Sequence, residues 1–211
     1  MIIQAIPSGP LDTNAYVVAC AATRQAAIVD PGLNSASSIA NFLKTHNLQP
    51  MAIFLTHSHW DHIGDVAELQ QQYHIPVLIH FKDKDNLEFP GSDKLPMFIP
   101  ITPAKADRYI EEGEELPIGN LRFTVIATPG HSPGSVCFYE KQEGVLLAGD
   151  TLFRGSIGNL SFPTSEPDNM WPSLAKLAKL PASTKVYPGH GGMTTIGAES
   201  WLPQAKKIFG G

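Results

Sequence analysis

The chain predicts an α/β fold, and three observations carry that expectation. Short apolar runs alternate with segments whose apolar residues recur at helical spacing, the pattern of strands interleaved with helices. Pro and Gly, 18 of each, punctuate these runs and predict many turns. A length of 211 residues with 43% hydrophobic and 17% charged residues fits one globular domain, taken as 1–211, and excludes an extended disordered chain.

The elements follow in order. Ile2 to Ile6, Ala15 to Cys20 and Ala26 to Val29 read as strands, and Asp30-Pro31-Gly32 as a turn. Ile39, Phe42, Leu43 and His46 share one helical face, with Asn34 or Ser35 placed to cap. A strand over 51–55 comes next, then a histidine-rich loop and a second helix with Val66, Leu69 and Tyr73 on one face. Val77 to His80 reads as a strand. Residues 81–120 read as loop-rich, either a lid over a pocket or an irregular cover on the core. A second strand group takes in Leu121 to Ala127, Ser135 to Tyr139 and Val145 to Ala148. A helix near 168–180 follows, in which Pro172 is tolerable only in the first turn. Lys185 to Tyr187 is the last strand, before a short tail.

The net charge of −5 argues against a nucleic-acid surface, which needs a basic face. No run reaches the ~18 apolar residues of a membrane span. The N-terminus lacks a basic region and an apolar core, so no signal peptide is read and a cytoplasmic protein is expected. Cys20 and Cys137 stand far apart and fit free thiols better than a disulfide.

Chemistry concentrates in Thr56-His57-Ser58-His59-Trp60-Asp61-His62, directly after an apolar strand. Neutral imidazole and carboxylate are ligands of choice for zinc, iron or manganese, so this is a metal site. His131, Asp150 and His190 share its setting, each just past a strand with glycine alongside. In layered α/β folds such strand ends converge on one rim. His57, His59, Asp61, His62, His131, Asp150 and His190 exceed the about four ligands of one tetrahedral zinc. They suit two divalent metals, with zinc the first choice and iron or manganese the alternatives. His57, His59, His131 and Asp150 would hold the first; Asp61, His62, His190 and a bridging Asp150 the second. His46, His74 and His80 read as structural or surface residues. Asp30 reads as a cap on its own turn, with contact to a ligand histidine the lesser reading, and Trp60 as packing.

The H-x-H-x-D-H run with later single His, Asp and His residues resembles the metallo-β-lactamase superfamily. That resemblance covers essentially the whole chain and implies a four-layer αββα sandwich with a dimetal site at the sheet edge. Within the superfamily, Gly149-Asp150-Thr151-Leu152-Phe153 and Tyr187-Pro188-Gly189-His190-Gly191 look most like short-form glyoxalase II. It implies hydrolysis of a small-molecule thioester such as S-lactoylglutathione by a hydroxide bridging the two metals. Asp61 is the catalytic candidate, fixing the second metal and orienting the hydroxide. Such hydrolases continue after Gly158 with Arg, any residue, Asp; here Asn159, Leu160 and Ser161 stand instead. Arg154 and Asn159 are therefore the substrate-binding candidates. The related mononuclear iron persulfide dioxygenases and the lactone or ester hydrolases of the same fold are the alternative readings.

Overall fold

The computed structural model describes residues 1–210. The first half of the chain builds one six-stranded sheet: β1 (Ile2–Ser8), β2 (Thr13–Ala19), β3 (Gln25–Val29), β4 (Gln49–Phe54), β5 (Val77–His80) and β6 (Arg108–Ile110), adjacent in that order. The second half builds the other, from β7 (Glu115–Ile118), β8 (Leu121–Ala127), β9 (Val136–Glu140), β10 (Val145–Gly149), β11 (Lys185–Pro188) and β12 (Thr194–Thr195). Both are mixed. β3–β4–β5–β6 and β10–β11 run parallel, and the other neighbours antiparallel.

Strand composition explains the layering. β2 and β3 are apolar at nearly every position because each face of the sheet meets a different core. Ala15, Val17, Ala26 and Ile28 point to the outer helices, whereas Tyr16, Val18, Ala27 and Val29 point to the second sheet. Phe54 lies across this inter-sheet core from Phe123 and Phe138, at ring separations of 6.2 and 5.2 Å. On the far face of the second sheet, Cys137, Leu146 and Ala148 meet Met170, Leu174 and Leu177. Burying one such side chain contributes about 1.5–3 kcal/mol. The outer layers are α1 (Ala36–Thr45) and α3 (Val66–Tyr73) on the first sheet, with α5 (Pro167–Leu177) and α6 (Ala205–Phe209) on the second. The order is helix, sheet, sheet, helix, the αββα sandwich expected from the resemblance.

The departures have physical reasons. The 81–120 stretch is not all loop: α4 (Lys84–Glu88), β6 and β7 lie within it. β6 and β7 are too short for their periodicity to stand out and are specified by their partners β5 and β8. Within its irregular part, Ile101, Ala104 and Ala106 seal the first sheet's core, while Phe98 is 88% exposed. α5 starts at Pro167 and ends at Leu177, so Pro172 falls beyond the first turn, inside the helix. Ser35 caps α1 in position only; the Ala36 N–H is received by Asp65 at 2.8 Å. Among the described residues no helix is long and apolar enough to cross a membrane.

Candidate metal centre

The C-terminal ends of β3, β4, β8, β10 and β11 and the N-terminal end of β2 meet along one rim, stitched across the two sheets. Asn14 N–H donates to the Gly189 carbonyl at 2.7 Å, and Val136 N–H to that of Thr56 at 2.8 Å. The chain leaves β4 extended through His59, then makes the single turn α2 (Trp60–Ile63). An extended segment aims i and i+2 alike, so His57 and His59 share a direction; the helical turn then sends Asp61 and His62 elsewhere. Glycine permits the crowding. Gly149 has φ +47°, a left-handed conformation that side chains rarely adopt, and a Cβ there would strike the Thr56 hydroxyl. A Cβ on Gly189 would strike the Asp150 carboxylate.

All seven candidate ligands converge. The ligand atoms of His57, His59 and His131 lie within 4.8 Å of one another, and so do those of Asp61, His62 and His190. Asp150 stands between the trios: Oδ2 is 3.4 Å from His131 Nε2 and 3.5 Å from His190 Nε2, and Oδ1 is 3.3 Å from His62 Nε2. The outer ring nitrogens are committed. His131 Nδ1 donates to the Asn159 carbonyl at 2.9 Å, His190 Nδ1 to Leu11 at 3.1 Å, and His62 Nδ1 to Asp30 at 3.1 Å. His57 Nδ1 sits 3.0 Å from the Thr56 hydroxyl, which itself donates to Asp30 at 2.5 Å. That fixes the tautomers and turns Nε2 inward. Nε2 of His57, His59, His62 and His131 and Oδ1 of Asp150 are buried with no hydrogen-bond partner. Five unpartnered polar atoms converging in one place fit divalent cations, since buried polar groups otherwise find partners.

Electrostatics divide the trios. Burial, with the neighbouring histidines, holds the His57 pKa well below its ordinary value; burial and His131 bring His59 down to about 3, and burial lowers His131. At His62 and His190 burial also opposes the charged form, but carboxylates win. Asp61 and Asp150 raise His62 well above its ordinary value, and hydrogen bonds to Asp150 and Asp61 bring His190 to about 9. Burial opposes ionisation of Asp61, yet His62 and His190 hold it at about 2. Thr13 donates to its Oδ2 at 2.7 Å.

The remaining expectations meet mixed outcomes. Arg154 is exposed, and among the described residues its side chain makes no hydrogen bond or ion pair. Asn159 is exposed too; it reaches the centre through its carbonyl, while its side chain receives Ser161 N–H at 2.8 Å. Trp60 packs against the first core. Asp30 is a correction: no hydrogen bond caps its turn, and its buried carboxylate spans Thr56 and His62 instead. Only the three-dimensional return of β3 beside β4 brings it there. Asp83, which no motif in the sequence singles out, receives Ser58 N–H at 3.1 Å, Ser132 O–H at 2.8 Å and Gly134 N–H at 2.6 Å. Beside His59 opens a pocket of about 190 Å³, walled by Lys82, Asp83, Asn86, Asp93, Ser132 and Thr164 among others. Phe162 closes the same side, its ring 5.4 Å from His59 and 5.5 Å from His131.

Residues 8–190 match the model of the metallo-β-lactamase superfamily. The probable metallo-hydrolase YqgX of Bacillus subtilis is 38% identical over 90% of both chains. Hydroxyacylglutathione hydrolase GloC of Haemophilus influenzae is 32% identical, covering 83% of this chain and 84% of its own. Among solved structures, BLEG-1 B3 metallo-β-lactamase superposes with a TM-score of 0.87 at 43% identity, over 94% of this chain and 96% of the other. TTHA1623, in a di-iron-bound form, gives 0.81 at 38% identity, over 93% and 96%.

Proposed function

Because the chain belongs to the metallo-β-lactamase superfamily, we propose that it is a dimetal hydrolase of thioesters, with S-lactoylglutathione or a related hydroxyacylglutathione as substrate. One observation carries the reading: two ligand trios with inward-facing nitrogens share a single carboxylate, Asp150. His57, His59, His131 and Asp150 would hold one cation, and Asp61, His62, His190 and Asp150 the other. When bound, the pair supplies a water of lowered pKa and a Lewis-acid contact to the scissile carbonyl.

The chain's own residues do the rest. Asp61 stays ionised at neutral pH, and its Oδ2, held by the Thr13 hydroxyl, would accept a hydrogen bond from the attacking water and orient it. Phe162 and the pocket beside His59 limit the approach. Arg154, the exposed cation after Asp150, is assigned to a carboxylate of the substrate, and Asn159 to holding the His131 ring. A thiolate leaves readily, so little general-acid assistance is needed. No side-chain nucleophile competes for the role. Cys137 is buried, which pushes its thiol up to about 11, and Cys20 follows the end of β2 opposite Thr13. The likeness to GloC supports the thioester; the likeness to BLEG-1 supports a second reading, opening of a lactam or lactone ring.

Metal counting with parallel assays decides between them. Two metals per chain with turnover of S-lactoylglutathione is the expected result. Ring opening of a β-lactam or lactone without thioester cleavage would replace the first reading with the second. One iron per chain with oxygen uptake on glutathione persulfide would replace both. His59→Ala abolishes hydrolysis, whereas His46→Ala, at the end of α1, leaves turnover within about twofold.

A further inference from the structure

Asp83 is a buried carboxylate that the proposed chemistry does not use. It ends the 3₁₀ turn Phe81–Asp83 after β5, is 4% exposed, and among the described residues pairs with no cationic side chain. Its partners belong to the loops of the first ligand trio. Oδ2 receives the N–H of Ser58, between His57 and His59, and the hydroxyl of Ser132, next to His131. Oδ1 receives the N–H of Gly134. From the next turn Asn86 donates to the Ser58 carbonyl at 2.5 Å, so the Ser58 peptide is gripped at both its N–H and its C=O.

We infer that Asp83 is a positioning residue for the first trio, its carboxylate tying the His57–His59 loop to the His131 loop at the spacing one cation requires. The inference rests on the reading that this trio holds a metal. Charge-assisted hydrogen bonds suit the task, because they are shorter and more directional than neutral ones. A neutral group would fill the same space, but it could not accept from both loops at full strength. The second trio is anchored differently: Asp30 holds His62, Thr13 holds Asp61, and the Leu11 carbonyl holds His190. Asp83 touches none of these residues, so its effect is confined to one half of the centre.

The test places Asp83→Ala in two backgrounds: Asp61→Ala, which keeps the first trio intact, and His59→Ala, which keeps the second. Zinc dissociation constants are read by equilibrium dialysis, and the visible spectrum of the cobalt-loaded protein reports geometry. Asp83→Ala weakens zinc about 10–100-fold in the first background and shifts its cobalt bands. In the second background both stay unchanged within about twofold. Asp83→Asn falls between, since its amide oxygen in the Oδ2 place keeps Ser58 and Ser132 while the Gly134 N–H loses its acceptor. If Asp83→Ala does not fold, Asp83→Asn and Ser132→Ala carry the same comparison. Equal weakening in both backgrounds, or none in either, overturns the inference. If the parent Asp61→Ala protein binds no zinc at all, the reading of the metal site fails instead, before Asp83 is touched.

Discussion

The two ligand trios lie side by side on one rim, yet they face a cation in opposite states. His57, His59 and His131 are kept neutral because burial, reinforced by the neighbouring histidines, outweighs the carboxylates near them. His62 and His190 are kept protonated because Asp61 and Asp150 outweigh burial. The first trio is a set of open lone pairs; the second is a set of ion pairs that an incoming cation must take apart. The difference comes from carboxylate contact: Asp61 and Asp150 both touch His62 and His190, whereas of the first trio only His131 meets a carboxylate, Asp150. It teaches that equal ligand counts do not make equal sites.

Removing the shared carboxylate is the strongest way to break this asymmetry. Asp150→Ala abolishes hydrolysis and empties both sites, whereas Asp61→Ala empties only the second; metal analysis after dialysis distinguishes them. Two sites lost in both variants would mean that the trios are not separable. Next in size is Asp30→Ala. Asp30 holds His62 directly and His57 through Thr56, so metal affinity falls about 10–100-fold at both sites. Loss at one site only would show that the Thr56 relay does not matter.

The smallest effect is in pH. His62 and His190 have raised pKa values, so at neutral pH each holds a proton that binding must expel. Affinity at the second trio therefore climbs as pH rises toward about 9, the value for His190. The first trio's values lie below the ordinary imidazole value, so its affinity is flat above neutrality and falls only on acidification. Calorimetry in buffers of different ionisation enthalpy counts these protons, and equal counts at the two sites would erase the distinction.

Much of this was legible in the sequence. The fold class followed from strand runs and helical spacing, and the seven candidate ligands from the dense cluster His57 to His62 and from His131, Asp150 and His190 standing just past strands with glycine alongside. What escaped was set by contacts between distant segments. Asp30 reads as a turn residue because nothing local says that β3 returns next to β4. Asp83 carries no local signal at all, being an ordinary aspartate in a polar turn whose partners lie 25 to 51 positions away. β6 and β7 escaped because three or four residues cannot display a period. Arg154 and Asn159 rest on a departure in a motif, and a departure says what is missing more clearly than what replaces it.

Each sheet is made from one continuous half of the chain, and only the segment between β6 and β7 joins them covalently. An ion held by both His57 and Asp150 would be a second joint. It closes a loop of about 90 residues, and by the arithmetic used for disulfides such a closure is worth roughly 4–5 kcal/mol of lost chain freedom in the unfolded state. The centre is then a fastener as well as a reagent. A protein nicked between Ile110 and Glu115 would keep its two pieces together for as long as the cations stayed in place.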